Sequence, residues 1–167
     1  IDISLIESLL PLFTYQTGIY FATGKSPERK GNLHPTITPY ESFPTKDGYF
    51  NLAVGTDARW PVFCQLLKEQ CKELRDFAHE ALFDEKFSTN ASRVKHRNEL
   101  RTILEEILLR KTTAEWISLI GGAGIPCGRI NSVNEICDSA LLEERGMIAE
   151  FEHPRCGTIK MIGSPIN

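Results

Sequence analysis

The sequence predicts an α+β fold in which helices pack against an antiparallel sheet. Before the central helical region, the segment YESFPTKDGYFNLAVG contains the turn signal Asp47-Gly48 followed by the apolar strand candidate YFNLAVG. This pattern predicts a β-hairpin. Two further strand patterns, at residues 147–152 and 157–162, follow the helices and are joined by the turn segment HPRCG. Because strands and helices are segregated along the chain, the helices are expected to cover an antiparallel sheet.

Composition restricts the classes of protein that fit. The chain has 167 residues, of which 41% are hydrophobic, enough for one core of ordinary size. Charged residues make up 25%, the net charge is −3, and no basic cluster is interleaved with aromatic residues, so a nucleic-acid partner is not expected. The cysteines are odd in number and form no C-x-x-C pair, which favours thiols in a reducing compartment over disulfides or a zinc site. They are Cys64, Cys71, Cys127, Cys137 and Cys156.

Residues 1–24 predict the end of a strand followed by a helix. The segment IDISLIE alternates apolar and polar residues, and apolar residues then recur at helical spacing from Leu5 until Gly24. Pro11 and several polar side chains interrupt this stretch, so a membrane span is not expected. The sequence begins without Met or a basic segment, and we therefore expect a fragment of a longer protein rather than an intact signal peptide.

Residues 25–40 predict a polar linker followed by a loop of unusual composition. The linker is GKSPERKG, and the loop GNLHPTITPY runs from Gly31 to Tyr40 with a histidine and two prolines. Such a loop is either a plain connection or a part of an active site.

The region after the hairpin predicts helices with polar starts. Residues 57–70 predict a short amphipathic helix with Asp57 as its cap and Pro61 in its first turn. A longer helix is expected to begin at Asn90. Arg93 is expected among the charged residues of its solvent-exposed face.

Two further helix starts carry capping-box spacing. Thr112 and Glu115 are three residues apart, as are Ser132 and Glu135. The first of these helices is expected to end at Gly121-Gly122, which makes GGAGIPCG a helix stop and turn rather than a dinucleotide loop.

The sequence does not predict a metal site. No two histidines stand three or four residues apart as a pair of metal ligands on a helix would, and no P-loop is present. Cys127 lies in the predicted turn IPCG, but no base stands beside it in the sequence, so a structural role is favoured.

Four blocks of sequence resemble one known family. They are GNLHPTITPYESFPTKDGYFNLAVG, FSTNASRVKHRNEL, AGIPCGRINSVNEI and RGMIAEFEHPRCGTIKMIGSPI. Together they resemble the central part of a family III CoA-transferase of the CaiB/BaiF group, which includes formyl-CoA transferase, carnitine CoA-transferase and α-methylacyl-CoA racemase relatives. The opening IDISLIESLL resembles the strand and helix that follow the family's nucleotide-binding half.

The resemblance implies an α/β protein overall, with a Rossmann-like large domain and an α+β small domain. Residues 1–24 would be a strand-helix piece of the large domain, 25–40 the linker and active-site loop, and 41–150 the small domain. Residues 151–167 would form a strand and the return toward the large domain.

The resemblance also implies the reaction and its setting. Acyl-CoA and a carboxylic acid would be the substrates of an interlocked homodimer, with CoA as substrate rather than as a covalently bound cofactor. The family's nucleophilic aspartate is expected upstream of Ile1, so no catalytic residue is assigned in this chain. We expect no membrane association and a cytoplasmic or mitochondrial location.

The resemblance places Gly31, Asn32 and His34 in a loop that folds over the thioester. A Gly-Asn backbone approaches a ligand closely and offers N–H donors to an oxyanion, and a loop in this place excludes water. Asp57 lies near the acid of racemase relatives, so it is either a substrate-binding residue or a helix cap. Arg129 meets either a phosphate or a neighbouring carboxylate.

Three functions remain open from the sequence. A transferase needs a nucleophilic carboxylate, whereas a racemase needs a base on each face of the α-carbon. A non-enzymatic folding or dimerisation module is the third alternative for the isolated chain.

Overall fold

The computed structural model describes residues 2–73 and 78–164, and the chain divides into two compact units, Ile1–Pro35 and Thr36–Asn167. The second unit carries the core. It contains a three-stranded sheet, the helices that pack on it and a separate two-stranded sheet.

The first unit contains short helical segments where one helix was predicted. Helix α1 spans Leu5–Leu9, a 3₁₀ helix spans Leu10–Phe13 and α2 spans Tyr15–Thr23. The α-helix does not continue because Pro11 has no N–H to donate and Thr14 adopts a φ of 48°. Helix α2 ends at Gly24, whose φ of 67° confirms the predicted glycine stop.

The predicted strand at the start of the chain is not observed. Residues 2–4 belong to no strand, and Ile1 lies outside the described residues. A strand requires a hydrogen-bonding partner, and alternation of apolar and polar residues supplies none by itself.

The three-stranded sheet is antiparallel with the order β1-β2-β3. Strands β1 (Tyr40–Pro44) and β2 (Tyr49–Ala53) form the predicted hairpin. Strand β3 (Cys127–Arg129) pairs with β2, although the sequence predicted a turn there. Its three residues are too few to show a strand period, so only the pairing identifies it.

The central helices are more divided than the sequence predicted. Helix α3 spans Arg59–Glu73, and 3₁₀ helices span Ala78–Phe83 and Glu85–Phe87. The helix expected from Asn90 is two helices, α4 (Asn90–Lys95) and α5 (Arg97–Leu108).

The break lies at His96, whose φ of −104° and ψ of 25° leave the helical region. The His96 ring Nδ1 lies 2.9 Å from the Ser92 carbonyl oxygen, a local side-chain contact of the kind that competes with the helical ladder. The N-cap of α4 is Thr89 rather than Asn90, since the Thr89 hydroxyl accepts from the Ser92 N–H.

Helix α6 (Thr113–Gly122) confirms its predicted capping box and its glycine end. Helix α7 (Val133–Cys137) likewise starts with the Ser132–Glu135 box, and α8 (Ala140–Glu144) follows. The predicted final strands are confirmed as β4 (Ile148–His153) and β5 (Gly157–Ile162). The return toward a large domain falls partly on residues 165–167, which lie outside the described residues.

One hydrophobic core joins the sheet to α3, α5 and α6. Its largest fully buried members include Phe43, Phe50, Phe63, Leu104 and Trp116. Trp116 also donates its ring N–H to the Leu108 carbonyl at 2.7 Å, so its polar atom is satisfied. Across residues 2–73 and 78–164, no helix has the length and apolar character of a membrane span.

Candidate active-site loop and its anchor

The loop expected over the substrate begins with a tight turn. Gly31 has a φ of 60°, and the Leu33 N–H donates to the Lys30 carbonyl at 3.2 Å. A Cβ at Gly31 would meet no atom within 4 Å, so the backbone conformation, rather than space, favours glycine. Gly31 and Asn32 are both exposed.

His34 is half-buried beside an aromatic ring. Its ring centroid lies 5.1 Å from that of Tyr15, with the planes inclined at 43°. Both residues belong to the first unit. The contact orients the imidazole, a group that both donates and accepts hydrogen bonds.

The Thr36–Thr38 segment, in the second half of the loop, is held by side chains of the second unit. Asn90 accepts from the Thr38 N–H through Oδ1 at 3.1 Å and donates through Nδ2 to the Thr36 carbonyl at 2.7 Å. Arg97 donates to the Ile37 carbonyl at 3.2 Å. Arg93 donates through Nε to the Thr38 carbonyl at 2.9 Å.

Arg93 is the most buried charge of this group, with a side chain that is 0% exposed. It also donates to the carbonyls of Phe87 at 2.9 Å and Ser88 at 3.2 Å. Its guanidinium carbon lies 4.8 Å from the centre of the Trp60 ring. A buried cation needs such partners, because desolvation without them is costly.

Asp57 supplies the carboxylate for this cation. One oxygen, Oδ1, accepts from Arg93 Nη2 and from the Asn90 N–H, both at 2.7 Å. The prediction that Asp57 caps its own helix is therefore wrong, since its carboxylate meets the first turn of α4. The Thr56 hydroxyl instead accepts from the Arg59 N–H at 3.4 Å, at the start of α3.

The sequence missed Arg93 as an anchor and predicted that it would face water. In the single helix that the sequence predicted, it would precede the buried residues Leu100 and Leu104 by seven and eleven positions and so lie on the apolar face. That spacing is the signal that would have found it. Asn90 and Arg97 carry no comparable signal.

A second buried charge lies on β1. The Glu41 side chain is 1% exposed and pairs with Arg101. Burial raises the pKa of the Glu41 carboxyl above its ordinary value, against the opposing charges of Arg101 and Arg97.

Two other candidates from the sequence have structural contacts. Cys127 is half-buried on β3, and burial raises the pKa of its thiol, as expected for a structural residue. Arg129 lies 3.9 Å from Glu135, so the carboxylate interpretation is the one observed. In the described part of the chain, no three His, Cys, Asp or Glu side chains group as metal ligands would.

The predicted substrate-binding residues are thus distributed over both units. Gly31, Asn32 and His34 lie in the first unit, whereas Asp57 lies in the second with Asn90 and Arg93. Within the second unit, Asn90 and Arg93 anchor the Thr36–Thr38 segment of the loop through polar contacts.

Comparison with known proteins identifies relatives over the whole chain. The model of the family described as CoA-transferase family III matches residues 1–167. The chain is 33% identical to a succinyl-CoA:glutarate CoA-transferase of Mus musculus, over 99% of this chain and 36% of the relative. It is 31% identical to a succinate–glutarate CoA-transferase of Agrobacterium fabrum, over 99% of this chain and 39% of that one.

A solved structure agrees with these relatives. A CaiB/BaiF family protein from Brucella suis superposes with a TM-score of 0.74 at 32% identity, covering 100% of this chain and 40% of that protein. The chain therefore spans less than half the length of each of these relatives.

Proposed function

The chain belongs to CoA-transferase family III, and we propose that it is part of an enzyme that moves CoA from an acyl-CoA to a carboxylic acid. The observation that carries this proposal is the family match over all 167 residues. Relatives at 31–33% identity bear names that specify succinyl-CoA or succinate together with glutarate. We therefore propose a dicarboxylic acid as the acceptor.

The proposed chemistry uses a nucleophilic aspartate upstream of Ile1. Its carboxylate attacks the thioester carbonyl, which releases CoA thiolate and forms a mixed anhydride. The thiolate then attacks the aspartyl carbonyl, which releases the donor acid and leaves an aspartyl-CoA thioester. The acceptor carboxylate repeats these two steps in reverse order, so that CoA leaves on the acceptor and the aspartate is restored.

The proposed role of this chain is to supply the loop with Gly31, Asn32 and His34. Each tetrahedral intermediate places negative charge on an oxygen, which N–H donors stabilise. The backbone at Gly31-Asn32 and the imidazole of His34 are suited to donate to such an oxygen. A loop over the thioester would also keep water from hydrolysing the anhydride.

Asp57 favours transfer over the racemase alternative. A racemase needs a carboxylate or another base that is free to remove an α-proton. One oxygen of Asp57 already accepts from Arg93 and from the Asn90 N–H. We propose that Asp57 acts through these contacts rather than as a base.

The test is a transfer assay on the longer protein that carries this chain. With succinyl-CoA as donor, we expect a new thioester with glutarate, and less or none with the monocarboxylate butyrate, detected by mass spectrometry. The isolated 167 residues serve as the control and should form no product, because the proposed nucleophile is not among them. Deuterium incorporation into a 2-methylacyl-CoA without transfer would contradict the proposal and favour the racemase.

A further inference from the structure

We propose that Asp57, Asn90 and Arg93 are positioning residues that hold in place the Thr36–Thr38 part of the active-site loop, which comprises residues 31–40. This inference rests on the proposed function of the loop that contains Gly31, Asn32 and His34. None of the three positioning residues is required to touch the substrate. Their effect on the reaction passes through the backbone that they bind.

The segment is fixed by side chains that reach it across more than fifty positions of sequence. Asn90 and Arg93 together bind the Thr36 carbonyl and both backbone groups of Thr38. Thr38 is buried, so both of its backbone groups need partners, and here the partners come from one short helix. The position of the segment therefore depends on the position of α4.

Asp57 connects the two residues that make these bonds. Its Oδ1 accepts from Arg93 Nη2 and from the Asn90 N–H at the same 2.7 Å. Loss of this oxygen would leave the fully buried Arg93 without its counter-charge and the Asn90 N–H, in the first turn of α4, without its acceptor. Groups in one hydrogen-bonded network shift together, so removing Asp57 should loosen both anchors at once.

The anchored segment is close to His34 along the chain. Only Pro35 separates His34 from Thr36. The proline ring fixes φ at that position, which removes one rotatable backbone angle between the two residues. Because a misplacement of about 1 Å can reduce a rate by about a hundredfold, an anchor at this point is expected to affect kcat.

The chain contains a matched control for Asp57. Asp47 is also an exposed aspartate whose Oδ1 accepts two hydrogen bonds, from the Thr113 N–H at 2.7 Å and from the Thr45 hydroxyl at 3.2 Å. It too joins a loop to the first turn of a distant helix. These hydrogen bonds of Asp47 go to Thr45 and Thr113 rather than to the Thr36–Thr38 segment, so Asp47→Ala measures the effect of losing a similar carboxylate at a different place in the fold.

The experiment compares Asp57→Ala, Asn90→Ala and Asp47→Ala in the longer protein. We expect the first two to lower kcat for CoA transfer about tenfold or more while KM for acyl-CoA stays within about twofold. Asp47→Ala should also lower the melting temperature, although by less than Asp57→Ala because no buried cation loses its counter-charge, and should keep kcat within about twofold of the parent. Asp57→Asn keeps an oxygen that accepts hydrogen bonds and should recover part of the lost rate.

Hydrogen exchange provides a readout that does not depend on activity. The Thr38 N–H donates to Asn90, so its exchange should become about tenfold faster in Asp57→Ala and remain unchanged in Asp47→Ala. Unchanged exchange at Thr38 in Asp57→Ala would overturn the inference even in an inactive protein.

The kinetic outcomes separate this inference from the proposed function. If the parent protein transfers CoA but Asp57→Ala and Asp47→Ala lose kcat equally, the positioning role is overturned and the proposed function stands. A parent protein that transfers no CoA would overturn the function and, with it, the role of the anchor in transfer.

Discussion

Replacing the buried Arg93 with methionine should destabilise the second unit strongly. Methionine has a similar length and keeps apolar contact with the Trp60 ring, so the main change is the loss of the guanidinium donors. The carbonyls of Thr38 and Phe87 are buried acceptors of Arg93 and would lose that donor. Each orphaned buried acceptor costs about 1–3 kcal/mol, which gives about 2–6 kcal/mol for the pair. Asp57, 55% exposed, would regain water and add little.

The assay is urea unfolding of the chain, followed by the fluorescence of its two tryptophans, Trp60 and Trp116, which are both buried. Arg129→Met is the control, because its 3.9 Å contact with Glu135 is exposed and should be worth no more than about 0.5 kcal/mol. A loss below about 1 kcal/mol for Arg93→Met, or a loss equal to that of the control, would refute the reasoning.

Three further predictions concern single side chains. His34→Ala in the longer protein should lower kcat about tenfold to a thousandfold if the imidazole donates to the thioester oxygen; intact kinetics with lower stability would assign His34 to packing. The buried Thr38 hydroxyl has no hydrogen-bond partner among the described residues. Thr38→Val removes this unsatisfied group and should raise the free energy of unfolding by about 1 kcal/mol. A lower free energy of unfolding would show that the hydroxyl does have a partner. Burial raises the pKa of Glu41 in the folded state. Its contribution to the free energy of unfolding is therefore fully present below the carboxyl pKa of the unfolded chain, and it is lost as pH rises through the carboxyl pKa of the folded protein. The unfolding free energy of the parent minus that of Glu41→Gln should therefore decline as pH is raised from about 4 to about 8, and a difference that does not change with pH would contradict this.

The elements that the sequence predicted well are those with a strong local signal. The Asp47-Gly48 turn marks its hairpin because few other residues suit the turn. The Thr112–Glu115 box marks the start of α6 because both residues satisfy backbone groups within one turn. In each case the interactions that define the element lie within a few residues of sequence.

The elements that the sequence missed depend on contacts across the chain. Strand β3 is defined by its pairing with β2, about 75 positions earlier, and a three-residue segment has no period of its own. The break at His96 is hidden because the apolar spacing continues through it from α4 to α5.

The residues of the candidate site also differ in whether the local sequence indicates their role. Gly31, with its positive φ, is recognisable from the sequence as a turn residue. The pairing of Asp57 with Asn90 and Arg93 spans more than thirty positions, and nothing in the local pattern indicates it. The role of Asp57 could therefore be stated only after its partners were located.

The most direct test of the account follows oxygen through the transfer reaction. The longer protein is supplied with succinyl-CoA and with glutarate labelled with ¹⁸O in both carboxylates. If CoA passes through an aspartyl thioester, one oxygen of the acceptor carboxylate remains on the enzyme carboxylate and enters succinate only in the next turnover. With the enzyme in excess over both substrates, mass spectrometry should therefore detect unlabelled succinate and an enzyme peptide that carries one ¹⁸O. Succinate that carries ¹⁸O in this single turnover, with no label on the enzyme, would contradict the account, because it would mean that glutarate attacks succinyl-CoA directly.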